Sequence, residues 1–140
     1  MANSTHLTLE TLTRGLRFRA STGKGFELTL DSGEGRLAVD PVETLITALG
    51  ACHGMDVISI LRKKRLDVTG YEIDVRGERQ KEHPRYFTSI EVVHRVRGRS
   101  IPVAAVEEAM RLSEQKYCTV HHSMRRDIDF RQRCEVIEES

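Results

Sequence analysis

Between Asp40 and Arg65 the chain reads DPVETLITALGACHGMDVISILRKKR, and this stretch decides the fold. Asp40 is a good N-cap, Pro41 suits the first helical position, and Glu43 stands where a capping box places its acid. From Leu45 to Leu61 the first half is apolar or small nearly all round, which predicts a helix buried on several sides. Arg62, Lys63, Lys64 and Arg65 put cations at the negative end of the helix dipole. They read as a solvated helix end rather than a nucleic-acid patch. Such a helix is a rod of roughly 37 Å. That is long for a chain of 140 residues, so a second subunit is expected to cover part of it.

Outward from the helix the pattern is that of strands. Leu7 and Leu9, then Leu16 and Phe18 against Arg17 and Arg19, then Phe26, Leu28 and Leu30 against Glu27 and Thr29, alternate with period two. Turn signals at Arg14-Gly15 and Gly23-Lys24-Gly25 make this an antiparallel meander, followed by a loop over Asp31 to Arg36. Beyond the helix, Tyr71, Ile73 and Val75 form one alternating set and Ile90, Val92, His94 and Val96 another. The polar stretch from Lys81 to Arg85 connects them as a hairpin. Pro102 to about Lys116 reads as a helix with Val103, Val106, Ala109 and Met110 inward, and TVHHSMRR as a shorter one. Ile128, Phe130, Cys134 and Val136 share one face of a last strand. The order β-β-β-α-β-β-α-α-β describes an α+β fold, expected as a single domain over 1–140.

Lys plus Arg count 22 against 21 Asp plus Glu, a net charge of +1, so no global charge argument favours nucleic acid or an anionic membrane. With 39% hydrophobic and 31% charged residues the composition is that of a globular protein. No apolar run approaches the ~18 residues of a membrane span, and MANSTHLTLE has no signal-peptide core. Three cysteines without an export signal argue against a disulfide framework and for a cytoplasmic protein with buried or reactive thiols.

Cys52 shares a helix face with Leu45 and Leu49 and reads first as a small buried hydrophobe. Twelve residues past the N-cap it gains nothing from the helix dipole, so reactivity there requires a specific neighbour. Cys118 falls between one helix end and another helix start, where backbone amides can depress a thiol pKa, with Lys116 and His121 as nearby cations. Cys134 and His94 read as core, the histidine hydrogen-bonded. Cys52, His53, Cys118, His121 and His122 match no zinc-ligand spacing, so no metal or other cofactor is expected.

PVETLITALGACHGMDVISIL, with its Pro-x-Glu opening and a cysteine deep in a small-residue helix, resembles the central helix of the OsmC/Ohr family (osmotically induced protein C and organic hydroperoxide resistance protein). The cysteine of LSEQKYCTVHHSM falls where that family places its second thiol, and the order of elements matches over nearly the whole chain. DVISIL and PRYFTSIEV look most like the OsmC-like branch. The resemblance implies an OsmC-like fold, an intertwined homodimer, and a thiol peroxidase acting on organic hydroperoxides in the cytoplasm. By that analogy Cys52 becomes a sulfenic acid, Cys118 condenses with it to a disulfide, and a dithiol such as a lipoylated protein restores both. The family pairs its first cysteine with an N-terminal arginine and a glutamate at the start of the central helix. Arg17, Arg19 and Glu43 are the candidates here, although Glu43 lies nine residues and roughly 180° of helix from Cys52. The alternative is a non-catalytic binding or redox-sensing protein in which Cys52 lines an apolar pocket.

Overall fold

Asp40 and Glu43 close the expected capping box. Asp40 Oδ1 accepts the Glu43 N–H at 2.7 Å, and Glu43 Oε1 accepts the Asp40 N–H at 3.1 Å. The helix they start, α1, runs Pro41–Lys63. It ends where Arg65 enters the left-handed region at φ 58° and the Leu66 N–H reaches back to the Leu61 carbonyl at 3.2 Å. The structure, a computed structural model, describes residues 1–10, 14–33 and 35–140. It divides into two compact units, Met1–Leu45 and Ile46–Ser140.

In the first unit β1 (Thr5–Leu9), β2 (Phe18–Thr22) and β3 (Glu27–Leu30) form the antiparallel meander that the alternation predicts. The register sets Ala20 between Leu7 and Leu28, and Phe18 between Leu9 and Leu30. These residues therefore share one face of the sheet. Leu7, Phe18 and Leu28 on that face are exposed. The expected Arg14-Gly15 turn adjoins residues 11–13, which lie outside the described residues, as does Glu34 of the expected loop. The rest of that loop is ordered by Asp31, whose carboxylate accepts the backbone N–H of Leu37 at 3.0 Å and of Ser32 at 2.8 Å.

The second unit is built on β4 (Asp67–Arg79) and β5 (Phe87–Arg99), an antiparallel hairpin, with β6 (Asp129–Glu138) parallel to β5. Val57 and Leu61 of α1, Val96 of β5, and Val106, Ala109 and Met110 of α2 (Val103–Leu112) form its buried core. Gly50 and Gly54 let α1 lie close to β4. A Cβ at either would come within 2.6 Å of Val75 Cγ2 or 2.4 Å of Ile73 Cδ1.

Four expectations change here, the first at Val103, which opens α2 and is exposed rather than inward. The helix predicted to about Lys116 stops at Leu112 and passes into a five-residue π-turn, Ser113–Tyr117. The Cys118 N–H bonds the Ser113 carbonyl at 2.8 Å, one residue further back than an α-helix allows. The second helix shrinks to α3, Thr119–His122. Furthermore, an 18-residue window of α1 has a mean hydropathy of 1.5, so by length and composition this helix could cross a membrane. Thr, Gly, Ser and His interrupt the apolar run without lowering the average much. Core helices share these properties, and Leu49, Val57 and Leu61 are buried.

Candidate active site

The π-turn carries Cys118 to Cys52. The two sulfurs and a carboxylate oxygen of Asp56 lie within 4.8 Å of one another. Asp56 is one turn past Cys52 on α1, so the pair shares a face. Cys118 is fully buried, whereas Cys52 and Asp56 retain partial exposure. Cys118 caps α3 and its sulfur accepts the His121 N–H at 3.3 Å, as its position predicts. Its acidity does not follow. Burial pushes the thiol up to about 12, the His121 amide opposes this, and the neighbouring Cys52 and Asp56 add to it. The expectation that Cys118 ionises readily is thus corrected: a four-residue helix cannot offset removal from water. Lys116 lies instead 5.3 Å from the Tyr117 ring centre.

A chain of hydrogen bonds leads away from Asp56. The Ser113 hydroxyl donates to Asp56 Oδ2 at 2.8 Å and stands 3.0 Å from His53 Nδ1. His53 Nε2 stands 3.1 Å from His121 Nδ1. The hydroxyl has one proton and gives it to Asp56, so Ser113 accepts from His53 Nδ1–H. Burial, with the charges of His121 and the other histidines nearby, pulls His53 down to about 3 and keeps it neutral at pH 7. Its Nε2 is therefore an acceptor, and His121 donates from Nδ1. Phe130 of β6 stacks on His53 with ring centres 5.2 Å apart and meets His121 edge-on at 4.3 Å.

A second chain fixes His94, which is buried as expected. The Gln132 amide donates to the Met110 carbonyl at 3.0 Å and to Glu114 at 3.1 Å, so its oxygen accepts from His94 Nε2–H at 3.0 Å. Tyr71 then donates its hydroxyl to His94 Nδ1 at 2.6 Å. Cys134 is half-buried beside the core, and burial raises its thiol.

The remaining candidates fall in the first unit. Arg17 pairs with Asp31 at 3.2 Å and Arg19 with Glu10 at 3.4 Å. Glu43 completes the capping box and meets Arg36 at 2.9 Å. Sequence reasoning missed Asp56 and Ser113. The signal for Asp56 was its four-residue spacing from Cys52 on one helix face. Among the described residues only Cys52, Asp56 and Cys118 converge as potential metal donors, short of the four in a closed zinc site.

Beside the histidine end of the chain lies a cavity of about 230 Å³, lined by Ile90, His121, Met124, Arg125, Ile128 and Phe130 among others. Apolar side chains form one part of its wall and cationic ones another.

The sequence and the fold have relatives. Residues 33–133 match the family model of the OsmC-like proteins. The chain is 37% identical over 123 residues to protein YhfA of Escherichia coli K12, covering 88% of this chain and 92% of that one. The crystal structure of a hypothetical protein from Aquifex aeolicus superposes with a TM-score of 0.87 at 28% identity, covering 100% of this chain and 99% of that one. The fold extends to the organic hydroperoxide resistance protein OhrB of Bacillus subtilis, with a TM-score of 0.63 at 15% identity over 96% of this chain and 98% of that one. The chain belongs to the OsmC-like family.

Proposed function

We propose that the protein is a cytoplasmic thiol peroxidase that reduces organic hydroperoxides through the Cys52–Cys118 pair. The observation that carries this reading is the approach of the two sulfurs to within 4.8 Å, with Cys118 buried and Cys52 within reach of a solute. Cys52 sulfur attacks the terminal oxygen of the hydroperoxide, the O–O bond breaks, and the alcohol leaves with the thiol proton. Cys52 is then a sulfenic acid. Cys118 displaces its hydroxyl as water and forms the disulfide, which a dithiol, for which a lipoylated protein is the candidate, reduces in two exchange steps. The burial of Cys118 suits a thiol that must meet the sulfenic acid and nothing else.

The working form proposed is a homodimer. Its support is the apolar sheet face of the first unit, where Leu7, Phe18 and Leu28 are exposed. Arg17, Arg19 and Glu43 are held as candidate activating residues by family analogy alone.

The test is turnover. With dihydrolipoamide as reductant, wild-type protein should consume cumene hydroperoxide catalytically and Cys52→Ser protein should not. Equal consumption by both would overturn the assignment. The second reading, a redox-sensing or binding protein, draws on Asp56, whose carboxylate helps to hold the Cys118 thiol up. It predicts a disulfide that forms stoichiometrically but does not turn over.

A further inference from the structure

We propose that Asp56 is the proton-transfer group of the thiol pair, held in place by the Ser113–His53–His121 chain. This deepens the peroxidase reading and takes its substrate from it. The carboxylate oxygen lies within 4.8 Å of both sulfurs, a distance that one bridging water would span. Beside Cys118 the carboxylate helps to raise the thiol, so stabilising a thiolate there is not a role it can fill. A base that takes the proton only as sulfur attacks is the role left to it.

The hydrogen-bond chain suits that role because every proton in it points toward Asp56. Ser113 donates to the carboxylate, His53 to Ser113 and His121 to His53. Three elements hold the string: α1, the π-turn and α3. No buried side-chain nitrogen or oxygen among the described residues lacks a partner. Among the described residues His121 Nε2 has no hydrogen-bond partner and is not a buried orphan, so it reaches solvent, and His121 lines the 230 Å³ cavity. The chain thus anchors the carboxylate beside the two sulfurs, with the His121 end of the string toward solvent.

The proton accounting closes without a further reagent. As Cys52 attacks ROOH, Asp56 takes the thiol proton and passes it to the departing alkoxide, giving Cys52 sulfenic acid and ROH. Sulfur loses two electrons and the peroxide gains them. As Cys118 attacks the sulfenic sulfur, Asp56 takes the second thiol proton and gives it to the leaving hydroxide, which departs as water. Asp56 is thereby a catalytic residue beside Cys52 and Cys118; Ser113, His53 and His121 are positioning residues.

The experiment compares two reactions of Cys52 in wild type and Asp56→Asn. Reaction with iodoacetamide needs only thiolate; reaction with cumene hydroperoxide needs a proton delivered as well. In Asp56→Asn the peroxide rate should fall about a hundredfold. The iodoacetamide rate should rise, because a negative charge has been removed. Rates moving together, or an unchanged peroxide rate, would overturn the proposal. Nitrogen-15 NMR of the wild-type imidazoles should find protons on Nδ1 of His53 and His121, and the opposite tautomers would remove the chain. Ser113→Ala keeps the carboxylate but loses its anchor, so the peroxide rate should fall while iodoacetamide alkylation stays within twofold. Equal losses in both would mark Ser113 as structural only and overturn its positioning role. A wild-type thiol inert to hydroperoxide would sink the peroxidase reading instead. The comparison would then be made with oxidised dithiothreitol, whose leaving thiolate also needs a proton, and opposing shifts would still be required.

Discussion

Ser113 donates its hydroxyl proton to Asp56 across 2.8 Å, from a π-turn to a helix 57 positions earlier in the chain. That bond joins the segment carrying Cys118 to the helix carrying Cys52. It also consumes the only proton Ser113 has, which fixes the tautomer of every histidine behind it.

Replacing Ser113 by alanine leaves the buried His53 Nδ1–H without an acceptor. The expected cost is about 1–3 kcal/mol, seen as a lower urea midpoint with an unchanged slope. A loss under half a kcal/mol would mean that the hydroxyl is replaced by water or that His53 has changed tautomer.

His53 makes stability depend on pH. Its value in the folded chain is about 3, against 6.5 when unfolded, so below pH 6.5 the unfolded chain binds a proton that the folded one refuses. Stability should therefore be level above pH 6.5 and fall as pH drops toward 3, by about 1.4 kcal/mol per pH unit well inside that window. His94, lowered chiefly by burial, adds in the same direction. Urea unfolding between pH 7.5 and 4.5 measures the slope, and a flat profile would contradict the buried neutral histidines.

Tyr71→Phe removes the donor to His94 Nδ1 while keeping the ring stacked on the imidazole at 5.9 Å. The orphaned nitrogen should cost about 1–3 kcal/mol, again read by urea unfolding. Since His94 belongs to the second chain, Cys52 alkylation by iodoacetamide should be unaffected. A large change in that rate would couple the two chains.

Much of the fold was legible because its signals are local. Asp40, Pro41 and Glu43 announce the start of α1 within four residues, and the alternation around Tyr71 and Ile90 announces the hairpin that the register bears out. His94 was legible as a buried residue for the same reason. The π-turn was not, since Ser113–Tyr117 carries ordinary helical residues and its geometry is set by where Cys118 must bond. The meeting of Cys52 with Cys118 came into view through family resemblance rather than pattern, for no periodicity links residues on different elements. The hydrogen bonds that join Ser113 to Asp56 and His53, and His53 to His121, stayed hidden because these partners lie 57 to 68 positions apart. The acidity expected of Cys118 failed because a cap position is local and burial is not.

Blocking the second half of the reaction should isolate the first. In Cys118→Ser protein, cumene hydroperoxide should leave Cys52 as a sulfenic acid that dimedone captures. In Cys134→Ser the disulfide should form as in wild type. A dimedone adduct on Cys118 in Cys52→Ser protein would reverse the order of the two thiols.

The most direct test of the central claim is the intact mass of fully reduced wild-type protein mixed with one equivalent of cumene hydroperoxide, followed by non-reducing peptide mapping. The account predicts the loss of two hydrogens within seconds, located to a Cys52–Cys118 bridge. An unchanged mass after minutes, with both thiols still titratable, would contradict it.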